Sequence, residues 1–404
     1  MNPLLVSGFG TSINVDKRKL IVTNKLQRQR LEFNPHKIEH DSIIIDGHTG
    51  NISFESMRWL MKHNIHLTLL NWDGNLLATT LPDGTISGKL RLSQYKKHLD
   101  EIARYNIANE LVKSKVDSSL NLLNELSKFY PIEIKKIQER LKLEISYFEH
   151  KDSKTMPKIQ EIMSHEARIA KIYFEYMNKV FAKVSPQFSF ETRSNFDHKR
   201  ADHASDEINA LLNYGYSILA SEIKKFLNSV GLDSQIGFLH ETMSSRTPLV
   251  YDIQELFRWL IDLSVIQLLE DNNLKKSDFI LTENYHIRLK PDTAKLLVEK
   301  IKSNFNSKVL YKKKHFAYQN ILYDNVQQLA LYIVGKKKTV EFVVPHIEIN
   351  RDDNLLLREK ILSLSPEERK KLGINKSTLW YLKKNISSKD KIKIYDKILD
   401  KLKY

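Results

Sequence analysis

Cysteine is absent from all 404 residues. Disulfides, zinc fingers and thiol nucleophiles are excluded together, and carboxylates and imidazoles remain as the side chains able to hold a metal. Long apolar runs are missing too. None approaches the ~20 residues of a membrane-spanning helix, and no signal peptide opens the chain, so a cytoplasmic location with no membrane partner is expected. Glycine is scarce, 12 in all, and sparsest through the middle of the chain. No tandem repeat or low-complexity tract stands out. Lysine clusters recur at Lys312-Lys313-Lys314 and Lys336-Lys337-Lys338, where a solvated surface is the expectation.

What is present points to a polyanion. The net charge is +15, and lysines and arginines gain affinity by displacing the counterions condensed on a phosphate backbone. Nucleic acid is the first candidate partner, although a lysine-rich solvated surface accounts for charge alone. The charge is uneven: the first ninety residues carry ten Lys/Arg against eight Asp/Glu, the last forty twelve against five. At 41% hydrophobic residues, the chain can build two or three domains with substantial cores.

An α+β architecture in three parts is predicted. Residues 1–90 read as a β-rich domain: residues 19–23 are β-branched, Ile43-Ile44-Ile45 is a buried-strand run, and residues 66–72 partly alternate. Asp73-Gly74 and Asp83-Gly84 supply turn residues. One short helix interrupts near residues 53–63, with Phe54, Met57, Trp59 and Leu60 on its apolar side. Residues 91–345 switch to helical period, with amphipathic segments at 107–126 and 132–147, and read as all-helical. Two further helices, near 206–227 and 251–269, are joined by a glycine-containing connection that holds His240. Residues 346–404 form a third, basic unit. Ser365 can cap a helix, Pro366 fits its first turn and Glu368 completes a capping box. Gly373 ends that helix, and Ile374, Leu379 and Leu382 give the next an apolar stripe. Lys376, Ser377, Thr378, Tyr381 and Lys384 stay outside the stripe. This is helix-turn-helix spacing, whose second helix can enter a major groove. A basic hairpin packed on its own domain has the same pattern.

Among residues able to carry chemistry, Glu166 is the most informative. On the helix read over 158–181, its neighbours at helical spacing are Ile162, Met163, Ile169, Ala170 and Tyr173. A carboxylate on an apolar face needs a partner: a metal ion, an arginine, or its own proton. Asp252 and Glu255 share a helix face with Arg258 and Asp262, opposite Ile253, Leu256, Phe257 and Leu260. Taken alone, that is a solvated acidic face with a Glu255–Arg258 pair. His240 alone is as readily structural as ligating. Asn209, Asn213 and Tyr216 form a polar stripe that can orient ligands, touch phosphates or satisfy a helical core.

Together these residues resemble the CRISPR-associated integrase and endonuclease of spacer acquisition. The matching strings run in family order: Glu166-Ala167-Arg168-Ile169-Ala170-Lys171-Ile172-Tyr173-Phe174; Ile208-Asn209-Ala210-Leu211-Leu212-Asn213-Tyr214-Gly215-Tyr216; Gly237-Phe238-Leu239-His240; and Leu249-Val250-Tyr251-Asp252-Ile253-Gln254-Glu255-Leu256-Phe257-Arg258. The likeness spans roughly residues 1–340, including Gly50-Asn51-Ile52-Ser53 and Trp72-Asp73-Gly74. It implies metal ligands at Glu166, His240 and Glu255, the last a position where aspartate is also common, with Asp252 as a nearby further acid. Asp252 would hold a metal-bound water or second ion, or accept a proton from the attacking hydroxyl. Asn209, Asn213, Tyr216 and Arg258 would support the site. The implied reaction is metal-dependent joining of a DNA 3′-OH to a target phosphodiester by transesterification, and a set of carboxylates and one imidazole suits Mn²⁺ or a permissive Mg²⁺ site. The implied partners are donor and target double-stranded DNA and a second copy of the chain, paired through the β-rich domain. The basic tail resembles the helix-turn-helix extension of casposases, transposon-encoded members of the family that integrate their element's DNA. A prokaryotic, archaeal source is expected. The rival functions are spacer insertion in CRISPR adaptation, simple metal-dependent hydrolysis, and a non-catalytic architectural role on DNA, which would not require Glu166, His240 and the Asp252/Glu255 pair.

Overall fold

The computed structural model describes residues 1–404 except 8–9, 27, 48, 72, 82–86, 131, 150–157, 191–203, 241–246, 283–285, 346, 350–360, 362–363 and 387–404. The chain forms two units, Met1–Ile347 and Glu348–Tyr404. The β-rich and helical segments both lie in the first. Asp83-Gly84 and Trp72 fall outside the described residues.

Two four-stranded sheets open the first unit. In one, β1 (Pro3–Ser7), β5 (Ser42–Asp46) and β7 (His66–Leu70) run parallel, and β8 (Leu76–Thr80) closes the edge antiparallel. The Ile43-Ile44-Ile45 run is the central strand of its sheet, and strands covered on both faces favour unbroken β-branched runs. In the other sheet β4 (Gln29–Phe33), β3 (Lys19–Asn24) and β2 (Thr11–Asp16) are antiparallel, and β6 (Gly50–Ile52) pairs parallel to β2. Ile13, Leu20, Val22, Ile43, Trp59, Leu60 and Leu67 fill the space between. Helix α1 (Phe54–Lys62) starts at the Ser53 cap and buries Trp59 and Leu60. Phe54 does not join them: at the first helical position it points away and is 83% exposed. The Asp73-Gly74 turn links β7 to β8, with Asp73 Oδ1 accepting the Asn75 N–H at 2.9 Å.

The remainder of the unit is mostly helical: α2 (Gly88–Leu99), α3 (Glu101–Ser127), α4 (Ile134–Glu149), α5 (Ile159–Val184), α6 (Glu207–Val230), α7 (Pro248–Gln254), α8 (Arg258–Asp271), α9 (Pro291–Asn306) and α10 (Tyr318–Ile333). Two small hairpins interrupt what the sequence suggested was helix alone: β9 (Phe279–Leu281) with β10 (Ile287–Leu289), and β11 (Lys308–Tyr311) with β12 (Lys314–Ala317). Strands of three or four residues are too short for a period-two pattern to show. The β11–β12 turn also lacks the usual signal, because Lys312 and Lys313 take its positive φ values of 48° and 66° where glycine or asparagine is usual. These lysines are solvated as expected, and Lys312 pairs with Asp324 at 2.6 Å.

Helix α6 is central. It is apolar almost all round, which suits a helix surrounded by others rather than one lying on a surface. It also ties the sheets to the helices: Tyr214 donates to Asp46 at 3.1 Å, the Thr68 and Ser221 hydroxyls meet at 2.5 Å, and Lys225 reaches Asp41 at 3.3 Å. Gly215 permits the tight packing. A Cβ there would stand 2.5 Å from Ile261 Cγ2 on α8 and 3.4 Å from Ile301 Cδ1 on α9. Gly215→Ala is therefore expected to lose about 1–3 kcal/mol by overpacking, despite alanine's better helix propensity. Urea titration of both proteins checks this, and an unchanged or raised midpoint would show that α6 and α8 are not so closely packed.

In the second unit, α11 (Pro366–Lys371) and α12 (Lys376–Ile386) are separated by a four-residue turn. The capping box forms as read: Glu368 N–H donates to Ser365 Oγ at 3.2 Å, and Ser365 N–H to Glu368 Oε2 at 2.9 Å. Ile374 and Leu379 are buried, whereas Lys376, Ser377 and Tyr381 are exposed and Thr378 is half-buried. The side chains of Leu382 and Lys384 lie outside the described residues.

Candidate active site

Glu166 stands on α5 with Ile162, Ile169 and Tyr173 buried around it, as its helical spacing suggested. Where an arginine was one expected partner, a lysine pairs with it instead. Lys115 of α3 donates to Glu166 Oε1, and the same ammonium lies 2.5 Å from Glu255 Oε2. Two carboxylates, one on α5 and one just past the end of α7, thus converge on one cation. The side chains of Lys115, Glu166 and Glu255 are 10%, 19% and 4% exposed. Burial alone would drive the Lys115 pKa down, but the charges of Glu166 and Glu255 reverse that and hold it above its ordinary value. Burial would likewise raise Glu255, yet Arg258, Lys115 and His240 bring it down to about 2.

The acidic face read over residues 252–262 is not solvated. What the periodicity presented as one helix from 251 is α7 and α8, broken by the turn Glu255-Leu256-Phe257, where Phe257 leaves helical geometry with φ −129°. The break lets Ile253, Leu256, Phe257 and Leu260 all face inward, and it takes Asp252 and Glu255 inside with them. The Glu255–Arg258 pair exists at 3.1 Å, but beneath the surface, with Arg258 stacked 4.5 Å over the Tyr216 ring. Asp262 is buried as well and accepts from Tyr216 at 2.5 Å and Tyr173 at 2.8 Å.

Asp252 is 0% exposed and works as an anchor. Its Oδ2 accepts the N–H of Phe238 at 2.5 Å and of Leu239 at 3.2 Å, and its Oδ1 that of His240 at 2.9 Å. Oδ1 also faces His240 Nδ1 at 2.8 Å. A carboxylate here is an acceptor, so Nδ1 carries the proton and Nε2 is left as the ring's basic nitrogen. Burial lowers the His240 pKa, but the Asp252 hydrogen bond and charge, with Glu255 and Glu166 beyond, carry it above its usual value. Gly237 makes the close approach possible, since a Cβ there would meet Pro248 Cβ at 2.8 Å and Asp252 Oδ2 at 3.0 Å.

Helices α2 and α3 fix the same loop from the other side. Gln94 Nε2 donates to the carbonyls of Asp233 and Ile236, His98 Nδ1 lies 2.6 Å from Gly237 O, and Arg104 Nε donates to Phe238 O at 3.0 Å. Neither these residues nor Lys115 stood out in the sequence. Lys115 left a signal all the same: it sits on the buried face of α3 with Leu111, Val112, Ser118 and Ser119, where a lysine needs a counter-charge. Of the polar stripe on α6, Tyr216 comes to the site. Asn209 sits at the helix start, bonded to the Asp206 cap at 2.6 Å. Asn213 is half-buried one turn further on.

A family model, CRISPR associated protein Cas1, matches residues 4–303. The chain belongs to the Cas1 family. An Archaeoglobus fulgidus CRISPR-associated endonuclease Cas1 is 26% identical over 349 residues, covering 84% of this chain and 99% of the relative. A Fusobacterium nucleatum CRISPR-associated endonuclease Cas1 is 27% identical over 299 residues, covering 72% of this chain and 83% of its own length, so archaeal and bacterial proteins both resemble it. Among solved structures, a casposase bound to integration product shares 35% identity at TM-score 0.77, over 90% of this chain and 99% of that one. A Cas1 protein from Thermotoga maritima has the same fold at 17% identity, with TM-score 0.67 and coverage of 84% and 99%. The α+β fold is thus that of Cas1 proteins and a casposase. Among the described residues no helix is long and apolar enough to cross a membrane.

Two carboxylates and an imidazole are donor types that a divalent cation accepts. Glu166 and Glu255 already share a cation, and His240 has one ring nitrogen held by Asp252. Among the described residues, no three His, Asp or Glu side chains already stand close enough to hold an ion; the Lys115 ammonium takes the place between two of them.

Proposed function

We propose that this chain is a divalent-metal-dependent DNA integrase that joins DNA 3′-OH ends to target DNA, acting as a casposase on the ends of a mobile element. The convergence of Glu166 and Glu255 on one cation, beside an imidazole oriented by Asp252, carries the reading. Glu166, Glu255 and His240 Nε2 would hold Mn²⁺ or Mg²⁺, which would supply positive charge for the oxygens that become anionic as one oxygen displaces another at phosphorus. The chain's own residues fix that arrangement. Asp252 sets the His240 tautomer, Arg258 holds Glu255, and the pinned loop at Gly237–His240 keeps the imidazole in register. In the joining step the donor 3′-oxygen forms a bond to phosphorus, the target strand's 3′-oxygen leaves, and the donor's proton passes to solvent or a nearby base. No covalent enzyme intermediate is needed.

The casposase reading over spacer insertion is supported by the 35% identity at 90% coverage of this chain, against 25–29% to CRISPR-associated relatives, and by the basic tail. The test is joining of a labelled 3′-OH oligonucleotide to supercoiled plasmid in Mn²⁺, by this protein alone. A covalent label on plasmid that vanishes with a 3′-deoxy oligonucleotide is expected. Nicking without transfer would reduce the activity to hydrolysis, and duplex binding with neither product would leave an architectural role.

We also assign α12 to DNA, through Lys376, Ser377, Thr378, Tyr381 and Lys384. Ending the chain at Asp352 should then weaken duplex binding about tenfold at moderate salt and make the slope of log K against log [salt] shallower by ~1 or more, because fewer phosphates are neutralised. Joining should persist with altered target preference. Identical salt slopes and insertion sites in both proteins would remove the tail from the DNA interface.

A further inference from the structure

Lys115 plays no part in the joining step, yet its ammonium sits where Glu166 and Glu255 converge. We propose that Lys115 is an internal occupant of the metal site, neutralising the two carboxylates in the metal-free protein and leaving them when a divalent cation binds. The inference rests on the metal-binding reading above.

Three observations carry it. First, a buried carboxylate and a partly buried one drawn together without a shared cation would be costly, and Arg258 bonds to Glu255 through Oε1. Lys115 is the group common to both acids. Second, the residue type suits an exchangeable cation. A lysine ammonium is a single point charge on a flexible four-carbon stem, whereas an arginine fork would lock to carboxylate in two places. Third, the ammonium has somewhere to go: a cavity of about 30 Å³ adjoins it, lined among others by Ser118, Ser119, Tyr216 and Asp262. Ser118 and Ser119 leave that space open because they are small. The consequence is a site that tolerates the absence of metal but binds metal against a built-in competitor.

Mn²⁺ titration of the full chain, read from the loss of the free-ion EPR signal, tests this together with thermal unfolding of the metal-free protein. Lys115→Met is expected to bind Mn²⁺ at least tenfold more tightly than the unaltered protein. It should also unfold at lower temperature without metal and recover that loss when Mn²⁺ is added. Lys115→Gln, also uncharged, replaces it if the methionine variant does not fold, and Lys115→Arg, which keeps a cation, should bind Mn²⁺ no more tightly than the unaltered protein. Equal or weaker Mn²⁺ binding by the uncharged variants, or equally tightened binding by the arginine variant, overturns the inference. If Glu166→Gln abolishes Mn²⁺ binding while the lysine variants change nothing, only the role of Lys115 falls. Mn²⁺ binding indifferent to Glu166→Gln removes the metal site itself, and Lys115's role with it.

Discussion

Glu166→Ala and His240→Ala proteins are expected to lose joining of a 3′-OH oligonucleotide to plasmid by about 10²–10³-fold in Mn²⁺, the scale set by removing a group that stabilises charge in the transition state. Duplex affinity should stay within roughly twofold, because affinity comes from phosphate contacts spread over a basic surface rather than from the reaction centre. The two variants reach the same endpoint differently. Glu166→Ala leaves Lys115 with Glu255 alone, so the metal-free fold loses an ion pair in a partly buried place. His240→Ala removes a ring whose only bonded partner at Nδ1 is Asp252, and the backbone N–H of residue 240 can still donate to that carboxylate. The histidine variant should therefore be the more stable of the two. Gel-based joining assays and duplex titrations at matched salt check both halves. Full joining by either variant would withdraw that residue from the site, and a parallel collapse of duplex binding would point to misfolding.

The sequence carried the outline of this site unevenly, and the reason lies in what periodicity can encode. Glu166 was legible because one long helix places its neighbours at known angles, and α5 is regular from Ile159 to Val184. The buried strand at Ile43-Ile44-Ile45 was legible because a strand covered on both faces has no room for polar alternation, although nothing in the run said that its neighbours would lie parallel. The capping box at Ser365 and Glu368 was legible because both halves of a reciprocal bond lie within four residues. Asp252 and Glu255 were misjudged, since three-residue spacing says that they share a helix face but not that a turn at Glu255 draws that face inward. Four apolar residues at 253, 256, 257 and 260 cannot decide between a helix with one buried stripe and a break that buries everything.

Lys115 was not legible for a different reason. It lies 51 positions from Glu166 and 140 from Glu255, and nothing local links a lysine on one helix to an acid on another and an acid in a turn. Its burial was foreseeable from Leu111, Val112 and Ser118 around it, but not its partners. The family resemblance named Glu166, His240, Asp252 and Glu255 together by order of motifs, without pointing to Lys115. The Lys312-Lys313 turn shows the same limit on a smaller scale: strand pairing forces positive φ on lysines whose own preferences give no hint of it.

Asp252→Ala should be the most damaging single change to the fold near the site. It removes a fully buried carboxylate and leaves the N–H groups of Phe238, Leu239 and His240 without their acceptor, each worth about 1–3 kcal/mol when buried and unpaired. Local rearrangement will recover part of that, so a net loss of about 3–5 kcal/mol is expected, the range for breaking a buried charged network from one side. Against a total stability on the order of 5–15 kcal/mol, the variant should unfold many degrees earlier. Asp252→Asn separates support from orientation. Its amide oxygen can still accept from part of the loop, but its NH₂ must face either a backbone N–H or the His240 Nδ1–H, and one donor is then set against another. That protein should lose less stability, about 2 kcal/mol, while joining falls by about 10–100-fold because the imidazole is no longer held in one tautomer. Thermal unfolding and joining rates measured on the three proteins give the comparison. If the asparagine variant kept full joining, Asp252 would be a support for the loop with no hold over the histidine. If the alanine variant kept full stability, the four hydrogen bonds that converge on this carboxylate would not be what fixes the loop.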